Sequence, residues 1–153
     1  MNPRQQYIED FGLFADQIGL TRMAGRILGW LLICDPSHQT MNELVDALQT
    51  SKSSISTTTR MLITFGMLER VSLPGERRDY YRLVPDLWTS AIERSAQQFA
   101  GFRKMAARGL EILADEPPET RQRLQEMNDL YTFIGREFPQ ILDRWREERG
   151  TIA

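Results

Sequence analysis

Residues 52–65 constrain this chain most, because hydroxyl side chains crowd a stretch whose apolar residues still keep a helical spacing. Ile55, Leu62 and Phe65 fall seven and ten positions apart, on one side of a 3.6-residue period, which predicts a helix with that side toward a core. The opposite side collects Ser53, Thr57, Arg60 and Thr64, flanked by Ser54, Ser56 and Met61. The six Ser and Thr between 53 and 59 cost a helix roughly 0.5 kcal/mol each relative to Ala, about 3 kcal/mol together. Something other than helix stability placed them there. Short hydroxyls beside a cation suit a helix lying against phosphates and base edges in a DNA major groove. The competing reading is a Ser/Thr-rich surface loop. Against it stand the apolar register, the N-cap candidate Ser51 and the stop at Gly66.

The flanking segments give this helix a context. Thr40 and Glu43 have capping-box spacing, and Met41, Leu44, Val45 and Leu48 follow at i, i+3, i+4 and i+7, which predicts a short helix before the turn. After Gly66, residues 67–73 read as a strand ending at Pro74-Gly75, and 79–84 return as a second strand with Tyr80, Tyr81 and Leu83. The tip between them carries Arg77 and Arg78. It is either a solvated turn or a wing reaching a minor groove or phosphate, whose negative potential draws arginine. Two helices, a tight turn and a hairpin over 40–84 outline a winged helix-turn-helix.

Charge supports a local nucleic-acid surface on an otherwise acidic body. Residues 51–82 hold six cations (Lys52, Arg60, Arg70, Arg77, Arg78, Arg82) and three acids (Glu69, Glu76, Asp79), a local +3 in a chain of net charge -2, so the remainder carries -5. That distribution suits localised phosphate binding and disfavours broad, sequence-blind affinity. A length of 153 residues with 41% apolar and 26% charged side chains allows one compact chain with a real core. Cys34 is the only cysteine, which rules out an intramolecular disulfide and a Cys-based zinc cluster. Its place at the end of the apolar run 27–33 fits a buried, inert thiol better than a redox sensor. His38 is the only histidine, and no triad, phosphate loop or metal-ligand spacing accompanies it, so neither enzyme activity nor a metal or other cofactor is expected. No apolar leader or span of about 18 residues is present, and a soluble, unexported, cytoplasmic protein is expected.

Asn2 and Pro3 suit the N-cap and first residue of a helix running toward Gly19, with Tyr7, Phe11, Phe14 and Ile18 spaced four, three and four. So narrow a stripe fits a seam with a partner helix. A second helix from about 21 to 34 carries Met23, Ile27, Trp30 and Leu31; Arg22 and Arg26 on it are phosphate contacts or, as we favour, solvated stems. Asp86 is an N-cap candidate for a long helix with Trp88, Ile92, Phe99, Phe102, Ala106, Leu110 and Leu113 on one side. Pro117-Pro118 breaks it, and a last helix bears Leu124, Met127, Tyr131, Ile134 and Phe138, then Ile141, Leu142 and Trp145 beyond Pro139, which should kink or interrupt it. These stripes exceed what a small winged domain can cover, so a bundle between two subunits is expected; an intramolecular pair is the alternative.

The stretches GLTRMAGRILGWL at 19–31, SKSSISTTTR at 51–60 and LERV at 68–71 through Arg82 resemble a MarR-type winged-helix transcriptional regulator, and more closely its GbsR-like branch. The resemblance covers roughly residues 15–90. Together with the apolar stripes of the terminal helices, it gives an expected mainly α fold with a small β-hairpin wing, built as a dimerisation helix over 1–19, a DNA-binding domain over 20–85 and a C-terminal dimerisation region over 86–153. It also implies a homodimeric repressor of double-stranded DNA, with a recognition helix at 52–65 and a wing at 74–79. Better-known members carry Asp-Arg-Arg in the wing where this chain has Glu76-Arg77-Arg78. The expected DNA contacts are Lys52, Ser53, Ser54, Ser56, Thr57, Arg60, Arg77 and Arg78. The expected dimer seam is Tyr7, Phe11, Phe14, Ile18, Tyr131, Ile134, Phe138, Ile141 and Trp145. Relatives respond to small-molecule effectors, quaternary ammonium compounds such as choline in the GbsR-like branch; Trp30, Trp88, Phe99 and Tyr131 are either a cage for such a cation or core. The rival to DNA binding is a winged-helix module whose 53–64 surface meets a protein.

Overall fold

The computed structural model describes residues 1–152, with side-chain burial for 1–150; Ala153, the last residue of the expected C-terminal region, lies outside the described residues. The chain divides into two compact units, Met1–Leu87 and the part from Trp88 onward.

In the first unit, α1 (Pro3–Gln17) opens on Asn2, whose side chain accepts from the Gln5 amide while the Gln5 side chain returns to the Asn2 N–H. Helix α2 (Arg22–Ile33) is capped by Thr21, and it packs on α1 through a face the apolar stripe does not reveal: Ile8, Gly12 and Ala15. A Cβ on Gly25 of α2 would sit 2.4 Å from the Ala15 methyl and 2.7 Å from the Phe11 carbonyl, so only glycine allows this approach. Tyr7, Phe14 and Ile18 stay exposed, whereas Phe11 turns inward against the core.

The helix-turn-helix follows the expected chemistry. Thr40 and Glu43 form a capping box on α3 (Met41–Leu48), and the Ser51 hydroxyl accepts from the Ser54 amide at the start of α4 (Lys52–Thr64). Ile27, Leu28, Leu44, Leu48, Ile55, Leu62 and Leu68 make one buried core. Two residues of α4 depart from expectation. Phe65 is 51% exposed rather than core, because the helix ends at Thr64 and Phe65 lies well off the Ile55–Leu62 axis. Thr58 and Thr59, read only as polar, are buried instead, at 8% and 1% exposure.

Strands β2 (Leu68–Ser72) and β3 (Asp79–Leu83) pair antiparallel with Glu69 opposite Arg82 and Arg70 opposite Tyr81. A third strand, β1 (Gln39–Thr40), pairs with the outer side of β3 and extends the hairpin to a sheet ordered β1-β3-β2. Gln39 is buried there, its amide donating to the Pro36 and His38 carbonyls and its oxygen accepting from the Trp30 indole N–H at 3.1 Å.

Helix α5 (Leu87–Ile112) starts after Asp86, whose backbone is left-handed (φ 55°), and α6 (Pro118–Ile152) begins at the double proline as expected. In the second unit they form an antiparallel hairpin, with Leu124 against Gly109, Tyr131 stacked on Phe102 at 4.9 Å, Phe138 edge-on to Phe99 at 5.5 Å, and Trp145 donating to Thr89. Tyr131, Ile134 and Phe138 are thus half-buried within their own chain. No interruption occurs at Pro139. Helix α6 runs through it, since packing on either side outweighs the lost backbone bond.

Candidate nucleic-acid interface

Helix α4 is held by its buried side and presents the other. Ile55 and Leu62 are fully buried, and Thr59 turns its methyl inward while its hydroxyl donates to the Ile55 carbonyl at 2.8 Å and the Ser56 carbonyl at 3.1 Å. No polar group is stranded by that burial. Lys52, Ser53, Thr57 and Arg60 are exposed, and Ser54 and Ser56 are half-buried on the flanks. Arg60 lies along the helix, its Nε donating to the Ser56 carbonyl at 3.3 Å. The exposed N-terminal turn of α4 adds the positive end of the helix dipole to this surface.

The wing separates its cations into two kinds. Arg82 donates to Glu69 at 2.6 Å across the β2–β3 pair, and Arg70 lies 3.8 Å from Asp79. Both are neutralised locally by strand register. Arg77 and Arg78 are exposed at the tip, and with Lys52 and Arg60 they have no carboxylate partner among the described residues. Glu76 is exposed and braces neither arginine. With the two pairs removed, the local +3 is the sum of these four cations and Glu76, so it resides on α4 and the wing tip.

Arg22 and Arg26 are not free stems. Both bind Glu9 of α1, at 3.0 and 2.8 Å, which corrects the expectation of solvated side chains. Burial pushes the Glu9 carboxyl up, and the hydrogen bonds and charges of the two arginines outweigh it and bring it below the ordinary glutamate range. Burial, with help from Asp35 and Glu43, raises the Cys34 thiol above its ordinary value, in keeping with an unreactive cysteine. Among the described residues no group of three or more His, Cys, Asp or Glu is placed to hold a metal, and no helix is long and apolar enough to cross a membrane.

Of the four aromatics considered for a cation cage, Trp88 is exposed and the other three are employed elsewhere. Trp30 packs on the core of the first unit and donates to Gln39, while Phe99 and Tyr131 line a cavity of about 190 Å³ between α5 and α6. Arg103 shares that lining, and its charge opposes a quaternary ammonium guest.

A capped helix-turn-helix with a hydroxyl-and-cation face and an arginine-tipped hairpin defines a winged-helix DNA-binding protein. Residues 18–79 match the MarR family, and residues 86–148 match the family described as MmpR5-like MarR family transcriptional regulator. The HTH-type transcriptional regulator MmpR5 of Mycobacterium tuberculosis is 39% identical over 145 residues, which span 95% of this chain and 88% of that one. The crystal structure of a transcriptional regulator shares 38% identity at a TM-score of 0.78, over 95% of this chain and 99% of that one. The chain belongs to the MarR family of winged-helix transcriptional regulators, a family of DNA-binding regulators rather than enzymes.

Proposed function

We propose that the chain acts as a cytoplasmic homodimer that binds a pseudo-palindromic operator and represses transcription by occluding a promoter. The observation that carries this reading is that Lys52 and Arg60 lie among the outward hydroxyls of α4, exposed and without a carboxylate partner among the described residues, as are Arg77 and Arg78 at the tip of the adjoining hairpin. Ser53, Ser54, Ser56 and Thr57 meet base edges or phosphates, Lys52 and Arg60 meet phosphates or guanine, and Arg77 and Arg78 reach the flanking minor groove. Residues 20–85 read DNA, and 1–19 with 86–153 join two copies, whose recognition helices then enter major grooves about 10 base pairs, or ~34 Å, apart. Exposed Tyr7, Phe14, Ile18, Ile141 and Trp145 support that seam, as do exposed Leu130 and Phe133, which the sequence pattern did not single out. The identity to MmpR5 and the match at 86–148 support an MmpR5-like placement within the family over the GbsR-like branch.

The test is selection of bound duplexes from a random pool, then titration of the selected and a random duplex at two salt concentrations, beside sedimentation. One enriched pseudo-palindrome, bound at least about 10³-fold more tightly than random duplex by a dimer, is expected. No enrichment together with shallow salt dependence would point instead to a protein-interaction module.

A further inference from the structure

Arg26 engages two elements besides its own helix. Its Nε donates to Glu9 on α1 at 2.8 Å, its Nη2 donates to the Leu48 carbonyl at 2.8 Å, and its Nη1 lies 3.8 Å from the Met23 sulfur on α2. Arg22 takes the second Glu9 oxygen at 3.0 Å. The Arg26 side chain is only 18% exposed, against 56% for Arg22.

Leu48 is the last residue of α3, so its carbonyl is one of those a helix leaves without an internal partner, and the last turn of α3 holds no basic residue of its own. Arg26 supplies that cation from a neighbouring helix. The next residue, Gln49, is left-handed (φ 48°), and Ser51 then caps α4. The grip therefore falls on the last helical residue before the chain turns into its DNA-reading helix. Helix α1 leaves room for it: a Cβ on Gly12 would stand 2.9 Å from Arg26 Cγ and 3.1 Å from the Arg22 carbonyl.

We propose that Arg26, oriented by Glu9, is a positioning residue for DNA recognition, fixing the α3–α4 turn and hence the direction in which α4 presents Ser53 and Thr57. It rests on the operator-binding reading above. Arg26 itself touches no DNA in this reading, because each of its three nitrogens already donates inside the protein and its side chain is only 18% exposed. Glu9 lies on the helix that exposes Tyr7, Phe14 and Ile18, so a displacement of α1 is felt at the Leu48 carbonyl.

The experiment compares full-length wild type with Arg26→Met, Glu9→Gln and the double variant. Each is measured for melting, for amide hydrogen exchange over residues 49–54 in the free protein, and for binding to the selected operator and random duplex at two salt concentrations. Arg26→Met is expected to weaken operator binding about tenfold, to weaken random duplex much less, to leave the salt slope unchanged and to speed exchange at 49–54 more than in α2. Glu9→Gln is expected to act in the same direction and to add nothing once Arg26 is gone. A salt slope flattened by about 1 would make Arg26 a phosphate contact and overturn the proposal. Unchanged operator affinity with unchanged exchange at 49–54 would overturn it as well. If Arg26→Met does not fold, Arg26→Lys keeps the stem and charge but cannot bridge both partners, and it takes the same measurements. If wild type selects no operator, the operator reading fails, and the exchange comparison alone decides whether Arg26 holds the turn.

Discussion

Two threonines on α4, two positions apart, should respond in opposite ways to the same substitution. Thr57 is exposed; Thr59 is 1% exposed and hydrogen-bonded to its own helix. In Thr59→Ala, a buried methyl worth about 1 kcal/mol and a hydrogen bond worth about 1 kcal/mol are lost, while alanine's helix propensity returns about 0.5 kcal/mol. The net is about 1.5 kcal/mol of destabilisation, or a melting temperature roughly 3 to 6 °C lower in a chain of this size. Thr57→Ala loses no packing and gains about 0.5 kcal/mol of propensity, so its melting temperature should hold or rise by roughly 1 to 2 °C. Binding should separate the pair the other way. A base-edge contact by Thr57 is worth about 1 to 3 kcal/mol on the operator and little on random duplex, so Thr57→Ala narrows the specificity ratio while Thr59→Ala leaves it unchanged at temperatures where the protein is folded. Melting curves and paired titrations of both variants decide it. A drop of several degrees in Thr57→Ala with intact operator preference would refute the assignment of faces, and equal losses on operator and random duplex would make Thr57 a phosphate contact.

Arg77→Ala/Arg78→Ala should leave the circular dichroism unchanged, weaken binding across sequences and flatten the salt slope by about 1 to 2 units per protomer; an unaltered slope would reduce the wing to a bystander. Because the folded Glu9 carboxyl is held below the ordinary glutamate value near ~4.3, its stabilisation is present above that value and is lost as pH falls through the lowered one. Urea unfolding should therefore show Glu9→Gln less stable than wild type at neutral pH, with the gap closing below about pH 4. Cys34, half-buried with its thiol pushed up, should alkylate at neutral pH at least about tenfold more slowly in the folded protein than in urea, as followed by mass spectrometry.

What the sequence disclosed was local chemistry. The capping box at Thr40 and Glu43, the Ser51 cap, the double-proline break and the helical face of Ser53, Thr57 and Arg60 are all set by residues within a turn or two of each other, and the structure places each as expected. What escaped depends on distant partners. Strand β1 exists only because β3 lies alongside it, and Arg26 is engaged because Glu9, 17 positions earlier, is brought to it by α1. The buried α1 face of Ile8, Gly12 and Ala15 was hidden because Gly12 and Ala15 are too small to continue an apolar stripe from Ile8. Thr58 and Thr59 were hidden because threonine counts as polar by type, although its methyl can pack and its hydroxyl can bond to its own helix.

The same distinction governs the charges at the interface. Cation types could be read from the sequence, but which of them are spent internally is decided by strand register, with Glu69 opposite Arg82 and Asp79 within reach of Arg70. The four acid-free cations on α4 and the wing tip of each protomer would give a proposed dimer about eight phosphate contacts from these elements, a contribution of about -7 to the salt slope. Against that stands the -5 carried outside residues 51–82, which repels phosphate wherever those cations do not engage it. Electrostatic attraction from α4 and the wing tip is therefore modest. In the proposed operator complex, the affinity that separates an operator from bulk DNA then has to come from uncharged contacts that salt does not screen, and the hydroxyls at 53–57 are the groups proposed to make them. This also accounts for the four outward Ser and Thr at 53–57 in a helix that alanine would stabilise, while Thr58 and Thr59 are held by burial instead.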